Sequence, residues 1–320
     1  MMNPDNLERR DEILKVCELL YVRGWTQQRI AEHMGFSRWK VSRLVETGLA
    51  EGFVQIRIRD PFARDAELES ELARRYALDE VVVVRDRPSL EQTIREVCAQ
   101  AARVLEQLRP HPEVVGVSWG RTLAEIAHQV KDGWADGPLV VQLNGGVANL
   151  RKTASAAQTI ATFARKAQGS ALMLTCPAIV GSRELATALS NDPAVKDVLE
   201  QGRRASVALY SLGALRADSV LVDSGCLTAA EVSQLRRRGG VGDILGHFIN
   251  GVGEIVDDAL ESRTIGLALN ELRQAETSIA VAVGRQKSAV TRAALIGNYP
   301  SVLITSQSTA REVLEEKDPR

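Results

Sequence analysis

The sequence has few of the features that mark a secreted, membrane-spanning or metal-binding protein. Its four cysteines, Cys17, Cys98, Cys176 and Cys226, are scattered, with no CxxC motif and no neighbouring histidine pair. A disulfide framework or a zinc site is therefore not expected, and reduced, buried thiols fit the pattern better. No apolar run approaches the ~20 residues that a membrane span needs. The polar opening MMNPDNLERRDE lacks the apolar core of a signal peptide. We expect a cytoplasmic protein without membrane contact.

Aromatic residues and net charge are low as well. Aromatic residues make up 4% of the chain against 45% hydrophobic residues, so aliphatic side chains must form the cores. A net charge of −1 argues against a sequence-independent nucleic-acid binder. The chain contains no GxxxxGK[ST] motif, and no GxGxxG followed by a suitably placed acid, so nucleotide and dinucleotide sites are not expected. Its 320 residues are enough for two domains of about 150 residues each.

The stretch from Thr26 to Glu51 has the pattern of a helix-turn-helix. Thr26 and Ser37 are placed to cap two short helices, and Gly35 stands where the turn needs a left-handed residue without a Cβ. Apolar residues at helical spacing give each helix one buried face: Ile30, Ala31 and Met34 in the first, and Val41, Leu44 and Val45 in the second. This agreement predicts a DNA-binding motif. A charged helical hairpin in a protein–protein module is the alternative.

Basic residues concentrate on this stretch, although the whole chain is nearly neutral. Between Thr26 and Arg43 four basic residues stand against the single acid Glu32. Because a recognition helix offers base edges the side chains near its start, we predict DNA contacts from the second helix, with neighbouring polar groups at phosphates. The predicted DNA-binding residues are Thr26, Gln27, Gln28, Ser37, Arg38, Trp39, Lys40, Ser42 and Arg43. A palindromic operator needs two such heads, so at least a homodimer is expected.

Two further segments complete the predicted N-terminal part. A helix over 5–21, with Ile13, Cys17, Leu20 and Tyr21 on its buried face, is expected to support the head. Residues 53–59 (FVQIRIR) alternate apolar and polar side chains as a strand does, which predicts a winged helix-turn-helix domain over 1–59. A charged helix over 64–76 follows, either as a linker or as a surface that pairs with its copy in a second subunit.

From residue 78 onward, short apolar runs alternate with helical patterns. Strands are predicted at 80–84, 114–117, 139–143, 171–175, 206–210, 278–283 and 301–305, and helices at 91–108, 121–130, 154–167, 228–238, 288–296 and 309–315. Strands that are apolar throughout are buried on both faces, which indicates a mostly parallel sheet covered by helices. The predicted fold class is α/β, with a Rossmann-like domain over 60–320.

Two loops at predicted strand ends have the composition of a ligand site, since ligands of parallel sheets bind there. Residues 116–122 (GVSWGRT) offer hydroxyls, an arginine and the free amides of a helix start, which favour an anion such as phosphate. Residues 142–146 (QLNGG) offer the side chain of Asn144 and bare backbone amides for hydroxyl groups. Taken alone, either loop fits an ordinary glycine turn equally well.

The head, these two loops, and the segments 177–202, 239–258 (GGVGDILGHFINGVGEIVDD) and 284–305 together resemble the SorC family of bacterial transcription regulators. The resemblance covers essentially the whole chain. It implies a winged head on a sugar-binding domain related to sugar-phosphate isomerases and deaminases, a homodimer or homotetramer, and a phosphorylated sugar or polyol as effector rather than a cofactor. The predicted effector-binding residues are Gly116, Ser118, Trp119, Gly120, Arg121, Thr122, Asn144, Gly145, Gly146, Asp243, His247 and Lys287.

Two segments depart from the family's usual pattern. Family members often have arginine where His247 stands, followed by an aromatic pair and an aspartate rather than Phe248, Ile249 and Asn250. Some relatives have a lysine where this chain has Asn144. Imine chemistry with a sugar aldehyde is therefore excluded at position 144. Lys287 is the expected electrostatic partner of a phosphate group.

Two classes of function remain at this stage. The first is a DNA-binding regulator, a repressor by type, of a carbohydrate or polyol catabolic operon, with no metal, no catalytic residue and no enzyme activity. The second is a sugar-phosphate isomerase or deaminase that carries a DNA-binding head. An enzyme of that kind needs a positioned acid/base pair, and among the four histidines only His247, near Asp243, lies by a candidate site.

Overall fold

The computed structural model describes residues 4–54, 64–147, 156–216, 220–223 and 225–315. The chain divides into two compact units, Met1–Pro61 and Phe62–Arg320. Among the described residues, no helix combines the length and the apolar character that a membrane crossing requires.

The described part of the first unit, residues 4–54, is a bundle of three short helices: α1 (Pro4–Cys17), which continues into a π-helical turn (Glu18–Val22), α2 (Gln27–Met34) and α3 (Arg38–Ala50). Gly35 ends α2 in the left-handed conformation, with φ of 68°, as the helix-turn-helix pattern requires. The core of this unit includes Ile13, Val16, Ile30 and Val41.

In the head, the structure corrects the predicted burial of Tyr21, and most of the predicted wing strand lies outside the described residues. Tyr21 was expected on the buried face but is 40% exposed, while Leu19 is buried. The chain folds back after the π-helical turn, where the Trp25 amide donates to the Leu19 carbonyl and α2 packs against the turn, so Leu19 becomes the covered side chain. The predicted wing strand at 53–59 lies outside the described residues except for Phe53 and Val54, which pack against the core of the head.

The second unit begins with α4 (Ala66–Tyr76), β1 (Glu80–Val84), α5 (Leu90–Gln107), β2 (Val114–Val117), α6 (Arg121–Gln129), β3 (Leu139–Gln142), α7 (Ala156–Lys166) and β4 (Ser170–Leu172). It continues through α8 (Arg183–Asn191), α9 (Pro193–Arg203), β5 (Val207–Ala214), α10 (Val220–Asp223), α11 (Ala229–Arg237), β6 (Gly240–Ile244), β7 (His247–Asn250), α12 (Asp258–Glu261) and α13 (Leu269–Leu272). It closes with β8 (Thr277–Ala282), a 3-10 turn (Arg285–Lys287), α14 (Ser288–Ile296), β9 (Val302–Ser306) and α15 (Gln307–Glu315).

The sheet of this unit is parallel along the order β1-β9-β8-β5-β2-β3-β4. Helices cover both faces: Val82, Val115 and Phe163 lie in the core on one face, and Leu72 and Tyr210 lie in the core on the other. The predicted mostly parallel α/β class is therefore confirmed. Chain order reverses between β2 and β5, because β3 and β4 extend from one side of β2 and β5 adds to the other. Such a switch point is where α/β sheets bind ligands.

The structure adds elements that the sequence patterns did not predict. The helices α8 and α9 follow β4, and β6 and β7 form an antiparallel hairpin whose first strand pairs with the end of β5. For this reason β5 runs to Ala214, four residues beyond the predicted strand end. The hairpin extends the sheet over the carboxyl ends of the parallel strands, and it therefore helps to form the site described below.

The helix α4 belongs to the α/β unit. It packs against β1 and α15, and its Leu72 side chain is fully buried. Arg75 Nη1 donates to the Leu314 carbonyl at 2.7 Å, and Gln307 Nε2 donates to Asp65 Oδ2, at the helix cap, at 2.7 Å. The apolar face of α4 is thus used inside the unit, so α4 is not a free linker; pairing of its exposed face with a second subunit stays a prediction.

Candidate functional site

A cavity of about 370 Å³ lies at the switch point, beyond the carboxyl ends of β2 and β5. The predicted site residues that line it are Ser118, Trp119, Gly120, Arg121, Thr122, Asn144, Asp243 and Lys287. Residues that the prediction missed also line it: Ser211, Leu212, Gly213, Ala214, Arg216, Leu221, Leu245, Gly246 and Gln286. Most of the missed residues come from the extended end of β5 and from the β6–β7 turn, which the sequence patterns did not reveal.

One wall of the cavity is the start of α6. Gly120 is its N-cap, with φ of 134° and no side chain to bond the first amides of the helix. Amides at a helix start without a capping side chain, together with the helix dipole, favour an anion. Trp119 holds the loop in place, because its Nε1 donates to the Gly145 carbonyl at 2.8 Å.

The end of β5 and the β6–β7 hairpin bring a carboxylate to the cavity lining. Asp243 lies on β6 directly across from Gly213 of β5, and a Cβ at Gly213 would overlap the Asp243 carboxylate. Its Oδ2 accepts a hydrogen bond from the Gly246 amide at 3.1 Å. Leu245 and Gly246 both have positive φ, which is the geometry of a tight two-residue hairpin turn. Burial raises the pKa of Asp243, and the Gly246 amide and the Lys287 ammonium oppose that rise.

Lys287 faces the same cavity from the 3-10 turn that precedes α14. The pKa of its ammonium group is lowered to about 8, chiefly by burial and to a smaller extent by Arg121, while Asp243 opposes the change. Beneath α6, Cys98 donates to the Thr122 carbonyl at 3.7 Å, and burial raises the pKa of the Cys98 thiol to about 12. The Cys98 thiol therefore stays protonated and serves in packing. Lys287, in contrast, changes its charge at a pH of about 8.

Asn144 follows β3 and is 6% exposed. Its Oδ1 is buried and has no hydrogen-bond partner within the part of the chain that the structure describes. The backbone amides of the two glycines after it were expected to be free, but both donate hydrogen bonds within the protein. The Gly145 amide donates to Ile265 and the Gly146 amide donates to Cys176, so neither is bare. Gly145 is needed for close backbone approach, because a Cβ there would lie 2.5 Å from the Pro177 carbonyl oxygen.

Two predicted site residues lie away from the cavity lining. Gly116 is a packing residue, because a Cβ there would lie 2.5 Å from a Leu143 methyl group. His247 is buried, with Nδ1 at 2.8 Å from Glu261 Oε2 and Nε2 at 3.1 Å from the Leu267 carbonyl. Both ring nitrogens are thus occupied by protein acceptors, and the structure does not bring His247 to the ligand cavity.

The predicted DNA-contacting side chains lie on the N-terminal part of α3. Arg38 and Arg43 are exposed, Trp39 is 70% exposed, and the Arg43 guanidinium lies 5.3 Å from the centre of the Trp39 ring. Ser42 is half-buried. Lys40, predicted at a phosphate, forms an ion pair with Glu12 at 2.8 Å and stays partly exposed. The arrangement presents two arginines and an indole from one helix.

The remaining predicted head residues act within the motif. Thr26 accepts from the Arg29 amide at 3.2 Å and Ser37 accepts from the Lys40 amide at 3.1 Å, so both are the helix caps that the sequence predicts. Gln28 Nε2 donates to Glu32 at 2.9 Å, and Gln27 is half-buried at the start of α2. Among the described residues no group of three or more histidine, cysteine, aspartate or glutamate side chains has the arrangement of a metal site.

Comparison with known proteins agrees with this architecture. Residues 60–315 match the family model described as "Putative sugar-binding domain". The chain is 33% identical over 310 residues to the deoxyribonucleoside regulator of Bacillus subtilis (strain 168), covering 97% of this chain and 99% of that protein. It is 30% identical over 313 residues to the transcriptional regulator LsrR of Enterobacter sp. (strain 638), covering 96% and 94%.

Solved structures show the same fold. The full-length sorbitol operon regulator SorC from Klebsiella pneumoniae superimposes with a TM-score of 0.80 at 24% identity, covering 98% of this chain and 100% of that chain. A sugar-binding domain of a transcriptional repressor from Vibrio fischeri gives a TM-score of 0.71 at 27% identity, covering 78% and 98%. The chain belongs to the SorC family of sugar-responsive transcriptional regulators, with a helix-turn-helix head and a Rossmann-like sugar-binding domain.

Proposed function

We propose that this regulator controls a carbohydrate or polyol catabolic operon as a repressor, and that a phosphorylated sugar or polyol bound in the switch-point cavity changes its affinity for operator DNA. The observation that carries the proposal is the mixed lining of the cavity. The start of α6, Arg121 and Lys287 favour an anion, and the side chains of Asp243 and Asn144 offer oxygen acceptors.

The anion-favouring groups of the lining fit a phosphate group. They are the uncapped start of α6, Arg121 and Lys287, which supply amides and cations that stabilise negative charge. A neutral sugar would leave the buried Lys287 ammonium with Asp243 as its counter-charge and Arg121 nearby. A doubly charged phosphate balances both cations and gains the helix-start amides.

The oxygen acceptors of the lining fit hydroxyl groups. Asp243 is held in place by the Gly246 amide, and a carboxylate beside a cavity accepts hydrogen bonds from sugar or polyol hydroxyls. A ligand with a phosphate group and several hydroxyls therefore offers a partner to both kinds of lining group.

The head supports sequence-specific DNA binding. Arg38, Trp39 and Arg43 are exposed on α3, the second helix of the motif, with Ser42 half-buried between them. We propose that these four side chains reach base edges and that Gln27, Gln28 and Lys40 lie towards the backbone phosphates. Because a partly palindromic operator requires paired heads, the active form is a homodimer or homotetramer.

We propose that the cavity binds its ligand without catalysing a reaction on it. Enzymes named isomerase or deaminase require an acid/base pair free to act on the substrate. Here the ring nitrogens of His247 are both held by protein acceptors, and Asp243 accepts from the Gly246 amide. Incubating the protein with fructose 6-phosphate and glucosamine 6-phosphate tests this point, because either isomerised or deaminated product at catalytic turnover would contradict it.

Thermal unfolding of the full-length protein tests the effector class. The panel is sorbitol 6-phosphate, ribose 5-phosphate, 2-deoxyribose 5-phosphate and fructose 6-phosphate, each beside its unphosphorylated twin. A ligand that binds only the folded state stabilises it in proportion to ln(1 + [L]/Kd). We expect at least one phosphorylated compound to raise Tm and its twin to do so much less. Absence of a shift across the panel, or equal shifts for twin and phosphate, contradicts a phosphorylated effector.

A further inference from the structure

Trp39 exposes most of its indole ring on α3. It is 70% exposed, whereas the other three tryptophans of the chain are buried or half-buried. An indole buries a large apolar area when a partner covers it, and for this reason tryptophan is enriched at binding surfaces. The neighbours of Trp39 indicate the charge of that partner, because Arg38 and Arg43 are exposed on the same helix. A polyanion such as DNA complements both arginines.

Arg43 is held beside this ring. The two residues are four positions apart, which places their side chains on one face of the helix. The Arg43 guanidinium carbon lies 5.3 Å from the centre of the Trp39 ring, within the range of a cation–π contact. Among the residues that the structure describes, no acidic group forms an ion pair with Arg43. The Lys40 ammonium, in contrast, lies 2.8 Å from Glu12 Oε1. Arg43 therefore keeps its donors available, and the indole limits where they point.

The chemistry of the two side chains restricts the bases that they can read. In the major groove the apolar group of the base edges is the C5-methyl of thymine, and guanine O6 and N7 form the acceptor pair that an arginine binds with two hydrogen bonds. An indole has one N–H donor and no acceptor, so its main contact with a base edge is apolar. The 5.3 Å between guanidinium and ring spans one to two base-pair steps of about 3.4 Å each. The pair therefore fits a thymine and a guanine at that spacing.

We propose that Trp39 packs on the C5-methyl group of a thymine in the major groove while Arg43 donates to a guanine one or two base-pair steps away. Each half-site of the operator then contains these two bases at that spacing, and its affinity for the protein depends on the methyl group. The inference rests on the proposed function and deepens it, because it names the bases that the head selects. A 5-methylcytosine in place of the thymine offers the same methyl group and keeps part of the affinity.

Selection from a duplex library of random sequence tests the choice of bases. The full-length wild type should enrich thymine and guanine one or two steps apart in each half-site. Trp39→Ala should lose the preference for thymine and keep that for guanine, whereas Arg43→Ala should lose the preference for guanine. Trp39→Ala should unfold at the wild-type Tm, because the ring that it removes is exposed. Enrichment of the same motif by the wild type and by Trp39→Ala would overturn the proposal.

Uracil substitution tests the methyl group itself, because deoxyuridine pairs as thymidine does and lacks only the C5-methyl. In the duplex that the wild type selects, uracil replaces the thymine of the motif in both half-sites, and a control duplex carries uracil in place of thymines outside the motif. The wild type should bind the first duplex about tenfold more weakly than the thymine duplex, since one buried methyl group is lost from each half-site, and should bind the control duplex unchanged. Trp39→Ala should bind all three duplexes with equal affinity.

The two experiments distinguish failure of the methyl contact from failure of the proposed function. Equal wild-type affinity for the uracil and thymine duplexes overturns the methyl contact and leaves operator binding intact; an indole inserted between base pairs would give this result. Failure of the wild type to enrich any sequence contradicts sequence-specific DNA binding, and the inference fails with it.

Discussion

Gly213 is where β5 makes room for the carboxylate that faces the ligand cavity. It pairs with Asp243 across the β5–β6 ladder, and the space that a Cβ would take is filled by the Asp243 side chain. A methyl group here must displace either the carboxylate or the β6–β7 hairpin. The absence of a side chain at position 213 is therefore part of the site.

Gly213→Ala should therefore remove the response to the effector and destabilise the protein by about 1–3 kcal/mol, the usual cost of overpacking. Gly181→Ala is a suitable control, because nothing lies within 4 Å of the Cβ it would add. Ligand-induced Tm shifts and urea unfolding report the two effects. An unaltered ligand response in Gly213→Ala would show that Asp243 does not need its observed position.

Lys287 should make effector binding depend on pH in a direction that its charge determines. Burial lowers its pKa from 10.5 to about 8, so the ammonium loses its proton as pH rises through that value. The phosphate group keeps its charge in this range, since its second pKa is about 6. Affinity for a phosphorylated effector should fall several-fold between pH 7 and pH 9, whereas Lys287→Arg should bind with constant affinity.

The ligand-free protein should show the opposite trend. Between about pH 8 and 10.5 the unfolded chain holds a proton on Lys287 that the folded chain has released, so this residue raises the free energy of unfolding as pH increases. Calorimetric titration with effector and urea unfolding without it, both across pH 7–9, separate the two trends. A pH-independent affinity in the wild type would place the phosphate away from Lys287.

His247 has a structural role in this chain. Its ring joins β7 to Glu261 at the end of α12 and to the Leu267 carbonyl, and the side chain is 3% exposed. His247→Phe removes the ring nitrogens that contact Glu261 and the Leu267 carbonyl, and it should cost about 2 kcal/mol of unfolding free energy. His128→Gln, an exposed histidine on α6, should be neutral. Equal stability of the two variants in urea would refute this role.

At the scale of elements, α4 should be essential for the stability of the α/β unit. Leu72 is fully buried between α4 and the sheet, so Leu72→Ala should cost about 2–5 kcal/mol. Leu68→Ala, on the same helix but only half-buried, should cost less. Thermal unfolding of the full-length protein measures both. A loss below 1 kcal/mol for Leu72→Ala would be the behaviour of a solvated linker helix.

The β6–β7 hairpin shows why part of the site was not predicted. Its sequence, GGVGDILGHFIN, has the glycine content of a loop. The structure shows a packing role for one of these glycines. A Cβ at Gly242 would lie 2.5 Å from Val290 Cβ, so glycine at this position lets β6 pack closely against α14. The turn also puts Leu245 at a φ of 56°, where sequence rules expect glycine or asparagine. Close packing from distant segments produced both features, and local pattern cannot reveal it.

Other elements could be predicted because their signals are local. The valine runs of β1 and β2 define their strands to the residue, and Thr26, Gly35 and Ser37 define the helix-turn-helix through caps and a turn. Ser182 and Asp192 cap α8 and α9, with a proline at the start of α9, so these missed helices carried a readable signal too.

At the scale of the whole molecule, sequence reasoning found the loops at the site but not their surroundings. Strand order depends on contacts between distant segments, and the position of β5 between β2 and β8 decides which loops meet. The loop after β2 and Asn144 were correctly placed at strand ends. His247 was misjudged because its neighbour Glu261 lies 14 residues away, on an element whose position the pattern does not give.

The two units make operator and effector binding separable by mutation. Arg43→Ala should weaken operator binding by about 1–3 kcal/mol and leave effector affinity unchanged, because Arg43 is an exposed residue of α3. Arg95→Ala, on the exposed face of α5, is the matched control for loss of an arginine. Fluorescence anisotropy with an operator duplex mapped by footprinting measures the first quantity, and calorimetry measures the second. Loss of effector binding in Arg43→Ala would argue against this division of labour.

Coupling between the two sites must also be reciprocal. If the effector changes operator affinity by a given factor, the operator must change effector affinity by the same factor, and couplings of about 1–3 kcal/mol correspond to factors of roughly 5–150. Lys287→Ala should bind operator like wild type yet lose the effector's influence on it. Effector titrations with and without saturating operator duplex give one factor, and operator titrations with and without effector give the other. Two unequal factors would mean that a further equilibrium, such as a change in subunit assembly, is linked to binding, and repeating both titrations at several protein concentrations would then reveal it.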